Sequence, residues 1–189
     1  MSSDAGNPSA IQDAVASKKL DAAVTPTRSL LFYTLTATLP ILVITGVLLF
    51  TQVRGRSLTM LAVLGAITGF IGMGRILYDL TLDIAGYPDY KLPVWSVFYL
   101  IIYIISAFSF VFFAMHRAYP GQYFKGFSMT SAKEAYLDSI YVSLCDYIGS
   151  APDQSIAFTR QSTRFLTVIQ AVLSMFINVV IITKFVNTF

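Results

Sequence analysis

With one cysteine, Cys145, and one histidine, His116, among 189 residues, the chain cannot close an intramolecular disulfide or assemble a metal site from Cys and His clusters. Charge is scarce too: 12% of residues are charged, against roughly 25% in an ordinary soluble domain. The net charge of +3 comes from 13 basic and 10 acidic side chains with no basic run, which gives no surface for nucleic acid. Catalysis needs a nucleophile with its base, paired acids or clustered ligands, and His116, Cys145 and Asp146 fall into no such motif. The chain is therefore read as a non-enzyme without a cofactor. Residues 1–28 are polar and rich in small side chains, without the short apolar core behind basic residues that marks a cleavable signal.

What the chain has in abundance is apolar length. Hydrophobic residues make up 56% of the sequence and the mean hydropathy is +0.68. Segments 30–50, 58–80, 93–115 and 165–185 are each apolar for about 20 residues, the length that roughly 30 Å of hydrocarbon demands of a helix. The fold class expected is an all-α integral membrane protein with four transmembrane helices. Its parts are a cytoplasmic tail at 1–28, a two-helix membrane segment at 29–92 and a second membrane module at 93–189. Within the tail, Ser9 and Gln12 have capping-box spacing, so 9–24 reads either as a disordered stretch or as a short amphipathic surface helix.

Several features of the spans read as structure. Pro40 predicts a kink in the first. Gly65 and Gly69 in the second have the GxxxG spacing that lets helices approach. Arg75, Asp79 and Asp83 follow at intervals of four on one face, either as an interfacial pair with a helix end or as an intramembrane charge cluster. Pro93 and Trp95 open the third span, and His116 with Arg117 marks its far boundary.

The stretch between Tyr119 and Arg164 is too long for a structureless loop in so small a membrane domain. Ser131 and Glu134 form an S-x-x-E capping box, which predicts a helix beginning at Ala132. About 14 helical residues extend roughly 20 Å, enough to enter a bilayer without crossing it. Gly149 is the permissive residue at which such an excursion would turn, and Ser150, Pro152, Asp153, Gln154 and Ser155 read as the polar return. An amphipathic helix lying flat at the interface is the other reading of this pattern.

Here IYVSL at 140–144, and RFL at 164–166 followed by VIQAVLSMFINVVII, resemble the pore helix and inner helix of the potassium-channel superfamily. The resemblance covers about half the chain, 93–184, and its motif for the filter is altered: YIGSAP at 147–152 stands where the family has TVGYGD, with Gly149 identical and Ala151 in place of the second glycine. What the resemblance implies is a re-entrant pore helix and loop between the third and fourth spans, and four copies around one axis. It implies a narrow region at Leu144, Cys145, Asp146, Tyr147, Ile148, Gly149 and Ser150, with Gln170, Ser174 and Asn178 lining the inner helix. The expected function is conduction of a monovalent cation by a homotetramer in contact with membrane lipid, in the plasma membrane and with both termini cytoplasmic. Potassium is the family's ion, but the altered filter does not carry its selectivity. The alternative is a non-conducting accessory or scaffold subunit with a vestigial pore loop.

Overall fold

The computed structural model of the chain describes Phe32 and residues 34–50, 56–86 and 94–186. These form α1 (Thr34–Phe50), α2 (Arg56–Gly86), α3 (Val94–Ala118), the shorter α4 (Ala132–Ile148) and α5 (Gln161–Val186). A two-residue strand, β1 (Phe124–Lys125), precedes α4, and another, β2 (Ala157–Phe158), follows it. The tail reading at 9–24 falls outside the described residues.

Among the described residues, three helices contain stretches long and apolar enough to cross a membrane: Arg56–Tyr78, Val97–Ala118 and Gln161–Val180. The described part of α1 is equally apolar but has 17 residues, short of the roughly 20 a crossing requires, and it runs as helix through Pro40. Hydroxyls inside these helices satisfy themselves by bonding back one turn, as Thr45 does to the Ile41 carbonyl at 2.7 Å, Thr68 to Leu64 at 2.8 Å and Ser109 to Ile105 at 2.6 Å. That is how a polar side chain is tolerated where water is absent.

The glycine spacing of α2 is used for packing. A Cβ on Gly65 would overlap the ring of Phe110 on α3, and the hydroxyl of Tyr103 donates to the Gly69 carbonyl at 2.7 Å. Gly72 meets both Tyr103 and Ala37 of α1. Small residues thus admit aromatic side chains from α3 to the α2 backbone, which is the close approach the spacing predicts. Arg75 is exposed on this helix, and the side chains of Asp79 and Asp83 lie outside the described residues.

Beyond α3 the chain closes over its end with aromatic rings. Phe124 is fully buried, stacked on Phe127 with centroids 4.4 Å apart and meeting Phe112 edge-on at 5.6 Å. β1 and β2 pair antiparallel, Phe124 opposite Phe158 and Lys125 opposite Ala157. Gly126 has φ +88°, and a side chain there would collide with the Ser155 carbonyl, so only glycine admits the two segments this closely. Because β1 follows α3 and β2 precedes α5, the pairing holds the end of α3 and the start of α5 on the same side.

Candidate functional site

The site that the structure builds lies along α4. Ser131 caps its start from an extended conformation, accepting the Glu134 backbone N–H at 3.3 Å. The reciprocal arm of the capping box is absent: the Glu134 carboxylate accepts from the Ser128 hydroxyl at 2.8 Å, and that hydroxyl, not the carboxylate, receives the Ser131 N–H. Ser128 is a better-placed donor, because Asp138 fixes its backbone N–H at 2.9 Å and His116 bonds its carbonyl at 3.1 Å. The histidine that appears isolated in sequence thus ties α3 to the loop before α4.

At the other end Gly149 takes φ +72°, while its N–H reaches the Asp146 carbonyl at 3.3 Å and the Ser150 N–H reaches Cys145 at 2.9 Å. This pair of bonds is the Schellman closure, which needs a left-handed residue and so favours glycine. The helix therefore spans 132–148, both ends set by local chemistry.

Between these caps a polar relay crosses three helices. The Gln170 amide on α5 donates from Nε2 to the Ser143 Oγ at 2.8 Å and to the Ser143 carbonyl at 2.7 Å. Ser143 Oγ in turn donates to the Ile105 carbonyl of α3 at 3.0 Å. Ile105 and Gln170 lie well inside the crossing stretches Val97–Ala118 and Gln161–Val180 respectively. Further along, the Tyr147 hydroxyl donates to Asn178 Oδ1 at 3.0 Å. Ser139 and Ser143 are both fully buried, and Gln170 is completely enclosed. A serine or glutamine so enclosed is tolerable only when bonded: Ser139 closes on the Ala135 carbonyl of its own helix, and Ser143 and the Gln170 amide nitrogen bond across helices, while Gln170 Oε1 is buried without a partner among the described residues.

After Gly149 the chain returns along α4. The Asp153 N–H donates to the Tyr141 hydroxyl at 3.2 Å, and the Ile156 N–H turns back to the Asp153 carbonyl at 2.9 Å. Thr159 then bonds the Tyr123 carbonyl through its N–H at 3.0 Å, and the Gln122 carbonyl through its hydroxyl. From Gly149 to Ser155 every residue except Pro152 is exposed.

The seven residues expected to form a narrow region divide between two surfaces. Leu144, Ile148, Gly149 and Ser150 are exposed, whereas Cys145 and Tyr147 are buried against the chain. Asp146 is half-buried, with Oδ2 sealed from solvent and without a hydrogen-bond partner. Burial pushes its carboxyl up to about 7 and also raises the Tyr147 phenol. Of the residues expected on one inner-helix face, Gln170 and Ser174 are enclosed within the chain and Asn178 is exposed. Ser174 closes its own hydroxyl on the Gln170 carbonyl at 2.8 Å.

Sequence reasoning did not single out Ser143 as a partner of α5, or Ser139 as a buried hydroxyl closed on the Ala135 carbonyl of its own helix. The signal was available: Ser139 and Ser143 on α4, and Gln170 and Ser174 on α5, are each polar pairs at a spacing of four in otherwise apolar surroundings. Among the described residues no group of three or more His, Cys, Asp or Glu side chains could hold a metal ion. Comparison with protein-family models, curated proteins and solved structures finds no match to this chain.

Proposed function

We propose that the chain is a subunit of a homotetrameric cation channel in which α4 and the return after it form a re-entrant pore helix and loop. The observation that carries this reading is the contact of Ser143 with Ile105 and Gln170 well inside both flanking spans. A helix lying flat at the interface would have its partners at the ends of those spans. In this reading α4 enters alongside α3, and its carboxyl end, with partial negative charge, points toward a shared axis. The exposed backbone around Gly149 and Ser150 then lies at a depth where lipid cannot satisfy it. Neighbouring copies or pore water would do so, and Leu144, Ile148, Gly149 and Ser150 are the residues left free to line the narrow region.

A second reading, a non-conducting accessory subunit, draws support from α5. With Gln170 and Ser174 turned inward, its exposed face is largely apolar, including Val168, Val172, Met175, Val179 and Ile182. The two readings separate in liposomes. A tetramer verified by cross-linking should pass potassium or rubidium, and cysteines placed at Ser150 and Asp153 should be shielded by permeant ions. A verified tetramer that passes neither ion at any voltage or pH favours the accessory subunit. Labelling of both positions without ion protection would argue for an interfacial helix.

A further inference from the structure

We infer that the groove between α2 and α3 is a binding site for an anionic phospholipid, one acyl chain lying between the helices and the phosphate held at Arg56. The groove has a volume of about 160 Å³ and is lined chiefly by small or apolar side chains, among them Ala62 and Ala66 of α2 and Ala114 and Ala118 of α3. An apolar cavity of roughly 150 Å³ stays dry and admits a molecule the size of benzene, so this one accepts a length of alkyl chain. From Thr59 to Ala66 it follows α2 for roughly 10 Å at 1.5 Å per residue.

Its polar end lies at the boundary of the spans. Tyr119 and Tyr123, just past the end of α3, close that end with rings 5.8 Å apart. Arg56, the first residue of α2, is exposed and stands three positions before the lining residue Thr59, on the same helical face. Arg117, in the last turn of α3, adds a second guanidinium at the same end. Neither α3 nor the stretch Arg56–Tyr78 contains an acidic residue, so the two helices that form the groove bring only positive charge to a phosphate, while the nearby Asp138 and Glu134 carboxylates are engaged by Ser128. Guanidinium and phenol donors at the interface, above an apolar slot open to the bilayer, match the two halves of a phospholipid.

This inference rests on the membrane placement of α2 and α3 and is independent of conduction, so a chain that passes no ions can still bear it out. The full chain, extracted in detergent, is mixed with equal amounts of phosphatidylglycerol and phosphatidylcholine and examined by native mass spectrometry. Wild type should retain phosphatidylglycerol in preference by roughly fivefold, the effect of one cation near an anionic headgroup. Arg56→Gln, a change at an exposed position, should keep lipid bound and lose the preference. Ala114→Trp should fill the groove and lose the lipid, and Val63→Trp fills it from the α2 side should the first variant not elute as a folded species. Equal retention by wild type and a natively eluting groove-filled variant would overturn the site, as would a wild type without headgroup preference. A change of oligomeric state in Ala114→Trp would also overturn it, identifying a second copy as the occupant.

Discussion

α3 and α5 grip the same short helix, yet one is enclosed by the chain and the other is not. Over an 18-residue apolar window α3 has 67% of its residues buried, and α5 has 22%. The difference does not come from hydrophobicity alone, since both stretches are apolar enough to cross a membrane. α3 lies between α2 and α4, receives the Tyr103 contact with Gly69 on one side and Ser143 on the other, and ends beneath the aromatic closure around Phe124. α5 is held mainly along one line, through Gln170 and Asn178 to α4, and leaves the rest of its circumference open. A core helix takes its stability from this chain. An open one takes little from it and presents an apolar surface outward.

The sharpest way to break this contrast is to truncate one large side chain on each helix. Phe112→Ala on α3 removes a fully buried ring that meets Phe124, and should cost about 3–5 kcal/mol in thermal or denaturant unfolding in micelles. Val172→Ala on the open face of α5 should stay within about 0.5 kcal/mol under the same conditions. A large loss from Val172→Ala in a monomeric preparation would mean that the open face is covered from within.

A double-mutant cycle sharpens the α4 attachment. Ser143→Ala and Gln170→Leu remove the two ends of one buried bond, so their effects should couple by about 0.6 kcal/mol, and at most roughly 1.7, as interhelical hydrogen bonds in membranes do. Strict additivity would mean that the Ser143 hydroxyl takes no part in the relay and that Gln170 holds α4 through the Ser143 carbonyl alone.

A pH-dependent effect is expected at Asp146, in α4 between Ser143 and Tyr147. Its folded-state value, about 7, lies above the ordinary 3.8, so the folded chain holds this proton more tightly than the unfolded one. Stability should decline as pH rises from 3.8 through about 7, with the full penalty present above that. Asp146→Asn should therefore raise the melting temperature at pH 8 and leave it nearly unchanged at pH 4. An equal change at both pH values would remove the carboxyl from this account.

Much of α4 was legible because its ends are made by neighbours in sequence. Ser131 is an N-cap within three residues of its donor, and Gly149 closes a Schellman turn within four residues of its carbonyls. The packing use of Gly65 and Gly69 was legible for a similar reason, since spacing alone sets their common face. The partners of Gln170 were not. Periodicity groups Gln170 and Ser174 on one side of α5, but whether that side meets water, lipid or another helix depends on α4, 27 residues away at Ser143. His116 needed Ser128 and Asp138 brought beside it, and no local pattern announces such a meeting.

By itself, then, the sequence determined the solvent of this protein and the punctuation of its helices, because apolar length, capping hydroxyls and a left-handed glycine act over a few residues. Only the tertiary structure decided which polar side chains are joined. A buried amide or hydroxyl goes wherever a partner can meet its hydrogen-bonding need, and for Ser143 and Tyr147 of α4 that partner comes from a different helix.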